Sequence, residues 1–240
     1  MRFPLVVFSQ GFNEPAEAYA GLLNAWARAG YAVASPTYPL TDPTQGGVNE
    51  SDIVNHPADL RYVIASLRAA ARDVHSRLHS VLNPHQVAIV GQSDGGDVSL
   101  AVAANSCCRD PVVRAAMILS GAELAAFGGT YYSQGNVPLL VVQGSADTIN
   151  VPGCSAQLYD QAQPPKYYLD IVGAPHLPPY VDPGPIRRGI ELTTIAFLDA
   201  ILKHHPGPLD RARSQLPAGE TLTSGPTAPP PPSTACPGAP

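Results

Sequence analysis

Gly91-Gln92-Ser93-Asp94-Gly95 follows the apolar run Val87-Ala88-Ile89-Val90 and precedes Asp97-Val98-Ser99-Leu100-Ala101-Val102-Ala103-Ala104. The first run reads as a buried strand and the second as a helix, so the pentapeptide is a strand-to-helix turn with a serine at its centre. Glycines at both flanks remove side chains where the backbone turns sharply and strand and helix approach closely. Such a turn lifts the serine hydroxyl clear of the sheet edge and aims the next helix N-terminus at it. A bare Gly-x-Ser-x-Gly is weak evidence, because both residue types are common. The strand and helix around it make Ser93 a nucleophile candidate.

Outward from this turn, strand and helix signals alternate, which implies a parallel sheet covered on both faces. Residues 4–9 read as the first strand. A helix follows with Tyr19, Leu22, Leu23 and Trp26 on one stripe, and Gly30 closes it. Residues 31–34 form the next strand, and a long irregular stretch covers 36–56. Pro57 opens a helix capped by Asn55 or His56, with the stripe Leu60, Val63, Ile64, Leu67, Ala71, Val74 and Leu78. Asn83-Pro84 is expected to break that helix. Further strands are expected at 115–119, 137–142 and 166–172, with a closing helix over 185–203. The expectation is an α/β protein with a mostly parallel sheet of about six strands and helices on both faces. Residues 1–205 make one domain. Beyond Pro206 the chain turns rich in Pro, Ser, Thr, Ala and Gly, so 206–240 is expected to be a disordered tail, with a proline-recognition ligand or an ordered strap tied by Cys236 as the alternatives.

Composition narrows the function. The chain has 240 residues, 45% of them hydrophobic and 14% charged, with a net charge of -5. That balance supports a sizeable core and argues against nucleic acid as a partner. No apolar run is long enough for a transmembrane segment. The apolar start is too short for a signal peptide and lacks a cleavage site, which implies a cytoplasmic protein as the sequence stands. Cys107, Cys108, Cys154 and Cys236 lack zinc-ligand or Cys-x-x-Cys spacing, so they read as structural thiols, buried or oxidised, whose pairing stays open. Oligomeric state also stays open.

In open parallel sheets functional residues gather at the carboxyl ends of strands. Ser93 needs a base, and His176, in the loop after the last expected strand, is the best placed of seven histidines. His56, His75, His79, His85, His204 and His205 read as surface or helix-end residues. Asp147 follows the preceding strand, where a carboxylate can fix the imidazole tautomer. Glu123 is the rival acid. The order Ser, Asp, His excludes the chymotrypsin and subtilisin arrangements. An oxyanion site is expected from the backbone N–H groups of Asp94 and Phe12, with Gln10 as alternative to Phe12. Gln10, Tyr38, Tyr131, Tyr132 and Ile149 are the candidate substrate contacts. The segment between Gly121 and Asn136 has little room for a large lid, so the cover must come from that segment and from the loop at 36–56, and a fairly open cleft is expected.

The motifs at 7–12, 91–96, 143–147 and 173–177 together resemble the α/β-hydrolase superfamily, and most of all its small bacterial branch of dienelactone hydrolases, platelet-activating-factor acetylhydrolases and cutinase-like polyesterases. The resemblance implies carboxylic ester hydrolysis through an acyl-enzyme, with no metal and no organic cofactor, on small-molecule or polymeric esters. Thioesterase, lactonase and peptidase activities use the same parts, and a non-catalytic hydrolase-fold binding protein is the alternative from another class. Against the superfamily pattern, the N-terminal strands of the full fold are absent; a missing N-terminal piece would leave room for a secretion signal. Asp94 stands where related polyesterases typically carry methionine, and a carboxylate there is expected to repel anionic substrates.

Overall fold

The computed structural model describes residues 2–46, 48–228 and Cys236. In chain order, β1 (Phe3–Ser9), α1 (Ala20–Arg28) and β2 (Ala32–Ala34) are followed by α2 (His56–Arg72), β3 (Leu82–Gln92) and α3 (Asp94–Ala104). Then come β4 (Val113–Leu119), β5 (Leu139–Gly144), α4 (Pro152–Gln161), β6 (Lys166–Ile171), α5 (Pro178–Val181), α6 (Pro185–Ile201), α7 (Pro208–Arg213) and β7 (Glu220–Thr223). The sheet has seven strands in the order β2-β1-β3-β4-β5-β6-β7, with only the β6–β7 pair antiparallel. The mostly parallel α/β sheet with helices on both faces is therefore as expected from the sequence. The strand count rises from six to seven.

Successive strand residues point to opposite faces, and both faces are buried. Val7, Ile89, Ile118 and Val141 pack with Leu60 and Ile64 of α2 and Leu158 of α4. Their neighbours Phe8, Val90, Leu119 and Val142 pack with Leu22 and Trp26 of α1 and Ile190 and Phe197 of α6. Each large side chain in these layers contributes about 1.5–3 kcal/mol on leaving water. Trp26 Nε1 donates to Thr194 Oγ1 at 2.9 Å, so its one polar atom is satisfied inside the layer.

Two boundaries differ from the sequence reading. The α2 stripe stops at Arg72, because Asp73 leaves helical geometry and its carboxylate accepts from the His75 N–H at 2.9 Å. Val74, counted in the stripe, is 69% exposed. Asn83-Pro84 lies inside β3, where the register against β1 jumps between Pro4 and Leu5. A bulge is one of the few places in a strand that tolerates proline.

The tail expectation is corrected over 208–228. Leu209, Ala212 and Leu222 are buried, and β7 pairs with the outer edge of β6, whose N–H and C=O groups need partners. Past β7, Gly225 O accepts from Tyr159 Oη at 2.7 Å, and Pro226 O from Lys166 Nζ at 2.8 Å. Cys236 is bonded to Cys154 of α4, and Cys107 to Cys108. The rest of the expected tail, 229–235 and 237–240, lies outside the described residues. Among the described residues no helix is long and apolar enough to cross a membrane, and no group of three or more His, Cys, Asp or Glu is placed to hold a metal ion.

Candidate active site

The parallel strands deliver their carboxyl ends to one edge of the sheet, and β3 ends there at Gln92. Ser93 follows with φ 54° and ψ -127°, a backbone geometry that only a tightly held turn sustains. A Cβ on Gly91 would overlap the Gly95 carbonyl, and one on Gly95 would overlap the Ser9 carbonyl. The two glycines thus let β3, α3 and the end of β1 meet. Helix α3 is buried from Gly95 to Ala104, which explains the small and apolar residues that dominate it, with Asp97 and Ser99 the polar ones buried among them.

The structure brings Ser93, His176 and Asp147 together. Ser93 Oγ lies 2.8 Å from His176 Nε2, and His176 Nδ1 lies 2.7 Å from Asp147 Oδ2. With Nδ1–H donated to the carboxylate, Nε2 is left as the acceptor for the serine proton. Asp147 is 3% exposed. Its Oδ1 accepts from the Ile149 N–H at 2.9 Å, and Gln143 Nε2 donates to Oδ2 at 3.2 Å. Gln143 also donates to Asn150 O at 3.1 Å and accepts from Ser155 Oγ at 2.6 Å, which ties the acid-bearing loop to the end of β5 and the start of α4. Asn150 Nδ2 fastens the same loop to Ser120 O at 2.7 Å.

Gln92 holds the other side of the imidazole. Its Nε2 lies 3.3 Å from His176 Nε2 and donates to His176 O at 3.2 Å, while Tyr19 Oη donates to its Oε1 at 2.7 Å. Tyr19 Oη in turn accepts from the Gly11 N–H at 3.3 Å, so the turn after β1 is tied to the turn after β3.

A cleft of about 270 Å³ opens over Ser93 and His176, with Phe12, Glu14, Glu50, Asp94 and Ile149 among its walls. Phe12 and Asp94, the expected oxyanion donors, both border this cleft. Asp94 is the first residue of α3, so its N–H has no partner within the helix. The Asp94 carboxyl is raised from an ordinary 3.8 to about 6, first by burial, then by the Glu50 charge, against a lowering by His176. Its Oδ2 is buried without a hydrogen-bond partner. Burial also raises Glu14. Glu50 and Asp94 border a second groove of about 460 Å³ that continues over Ile53, Val54, Leu124 and Ala126.

The expected substrate contacts separate. Ile149 lines the cleft and is 65% exposed. Tyr38 does not line it: the side chain is 1% exposed, stacked on His56 at 3.8 Å and bonded to Ser9 Oγ at 3.0 Å. Gln10 is buried, with Ser35 Oγ 3.4 Å from its Oε1. Tyr131 is bonded to the Leu124 backbone and Tyr132 donates to Leu158 O at 2.7 Å; both serve packing of the segment after β4. Glu123 bonds to Gln157 and Gln161 rather than to His176. Sequence reasoning missed Tyr19, Gln92, Gln143 and the acidic wall of Glu14 and Glu50. The only signal for the two glutamines was their place at or beside a strand end.

No protein-family model and no curated protein matches this chain.

Proposed function

We propose that this protein is a serine hydrolase of carboxylic esters, built on an α/β-hydrolase-like fold and working through an acyl-enzyme. The observation that carries the reading is the unbroken relay from Ser93 Oγ to His176 Nε2 at 2.8 Å and from His176 Nδ1 to Asp147 Oδ2 at 2.7 Å. Ser93 Oγ attacks the ester carbonyl as its proton passes to His176, and Asp147 stabilises the imidazolium that forms. The Phe12 and Asp94 N–H groups receive the oxyanion. Collapse expels the alcohol, which takes the proton from His176, and water repeats the sequence on the acyl-enzyme.

The size of the cleft favours short acyl or alcohol groups, and the groove beyond Asp94 gives an extended uncharged chain, a polyester included, a way out. Glu14, Glu50 and Asp94 disfavour anionic esters. The two disulfides support an oxidising compartment as the place of work.

Hydrolysis of p-nitrophenyl esters from acetate to palmitate tests this reading. Wild type should turn over the short esters and take up a fluorophosphonate label, and Ser93→Ala should do neither while unfolding at the wild-type temperature. Asp147→Asn should lower kcat by roughly 10⁴ through loss of the tautomer, and Glu123→Gln should leave it within about twofold. Turnover that survives in Ser93→Ala removes the serine from the mechanism; turnover lost only in Glu123→Gln moves the acid.

A further inference from the structure

Tyr19 and Gln92 lie between the turn after β1 and the imidazole of His176, and their hydrogen bonds run in one direction. Both ends fix that direction, because the Gly11 N–H can only donate and the His176 carbonyl oxygen can only accept. The Gly11 N–H donates to Tyr19 Oη at 3.3 Å, Tyr19 Oη to Gln92 Oε1 at 2.7 Å, and Gln92 Nε2 to His176 O at 3.2 Å. The amide nitrogen has a second hydrogen, and it stands 3.3 Å from His176 Nε2. Burial raises the Tyr19 hydroxyl above its ordinary range, against a lowering by the Gly11 N–H, so it stays protonated and able to donate. Tyr19 is fully buried and Gln92 is 1% exposed, so water does not compete for these bonds.

Each end of the chain meets a group that the ester chemistry needs. At the imidazole, an amide N–H facing Nε2 favours a lone pair there, the same tautomer that Asp147 favours from Nδ1. At the turn after β1, Asn13 N–H donates to Thr41 O at 3.1 Å and Glu14 N–H to Gly11 O at 3.4 Å. With the Gly11 N–H taken by Tyr19, the Phe12 N–H is the one in 11–14 left without a partner among the described residues. We propose, resting on the ester hydrolase reading, that Tyr19 and Gln92 are positioning residues that work as one unit: they leave Phe12 N–H as the oxyanion donor and hold His176 Nε2 as the proton acceptor. Removing the Tyr19 hydroxyl frees a competing N–H at Gly11 and releases the Gln92 amide to turn. Removing the amide leaves the hydroxyl without its acceptor and the ring without its second donor. Either loss breaks the same chain, so the two should not add.

Tyr19→Phe keeps the ring that packs on Phe8 at 4.8 Å, and Gln92→Met keeps most of the side-chain volume. Hydrolysis of p-nitrophenyl butyrate at pH 8 by wild type, the two single variants and the double variant is the test. Each single change should lower kcat about tenfold or more with KM held within about twofold, since the chain serves the transition state and not substrate binding. The double variant should be no slower than the slower single one. Wild-type kcat in either single variant, or losses that multiply in the double, overturns the proposal. A second readout needs no turnover: Tyr19→Phe should move the imidazole ¹⁵N resonances of His176, which the hydroxyl does not touch, and speed the exchange of the Gly11 amide. Unchanged ring and amide signals overturn the unit even if the ester is cleaved. Wild type that cleaves no ester while Tyr19→Phe moves both signals refutes the ester reading and leaves the hydrogen-bonded unit standing.

Discussion

Asp94→Asn should gain stability relative to wild type as pH rises from acid to neutral. The Asp94 carboxyl is raised from 3.8 to about 6 because it is largely buried and faces Glu50, with His176 acting the other way. Between those two values the native state holds a proton that the unfolded chain has released. Stability therefore falls as pH rises through this window, the opposite of a salt-bridged aspartate. The displacement corresponds to about 3 kcal/mol, an upper figure because part of the carboxyl still meets solvent. Asparagine has nearly the same shape and no charge, so it removes the pH-dependent part. A constant offset will remain from placing an amide where Oδ2 has no partner. Asp97 is raised by burial, lowered by the Ala122 N–H and raised again by the Asp94 charge, so removing that charge acts on it in the same direction. Urea unfolding followed by the fluorescence of Trp26, the one tryptophan and fully buried, gives the assay at pH 4, 5, 6, 7 and 8. The stability difference between variant and wild type should move by up to about 3 kcal/mol in favour of Asn between pH 4 and pH 7.5. A difference that stays flat across this range refutes the placement of Asp94 as a buried, poorly compensated carboxylate.

Glu220 of β7 offers a second case of the same sign: burial raises its carboxyl to about 7, and both oxygens lack partners. Glu220→Gln should gain stability in urea only above about pH 5, with the full gain reached past pH 7; a loss at pH 8 contradicts it. The Cys154–Cys236 bridge closes a separation of 82 residues, for which unfolded-state entropy assigns about 4.5 kcal/mol, so the paired change Cys154→Ala with Cys236→Ala should lower the unfolding free energy by that order. An unchanged urea midpoint would mean that the bridge constrains little.

What the sequence disclosed and what it hid follow from how local each signal is. Strands were legible because parallel strands buried on both faces read as unbroken apolar runs, as at 87–90 and 139–142. Ser93, Asp147 and His176 were legible as positions because each follows a strand end, and parallel pairing sends all those ends to one edge. Tyr38 misled because its long polar loop resembles an active-site cover, while its ring is spent on His56 and its hydroxyl on Ser9. The end of α2 misled because Val74 and Leu78 continue a helical period that the Asp73 turn interrupts. Residues 208–228 looked structureless by composition, yet an unpaired β6 edge accepts almost any backbone, and Leu222 supplies the one anchor that β7 needs. Nothing local marks a cysteine pair 82 residues apart.

The groups that touch the triad share one property that none of the nearby carboxylates has. Gln92 holds His176 and Gln143 holds Asp147, and neither amide titrates. Each is itself fixed by a second hydroxyl, Tyr19 on Gln92 and Ser155 on Gln143. The imidazole and the carboxylate are thus held by partners that carry no charge of their own. The raised carboxyls stand one step outside: Asp94 beside the serine, Asp97 on the next turn of α3, and Glu14 across the cleft. As pH rises through about 6 the Asp94 carboxyl charges, so pH reaches the field in the cleft and the stability of the fold through this residue. Under the proposed ester chemistry, Asp94 is therefore the group beside the serine through which pH would act on charged substrates.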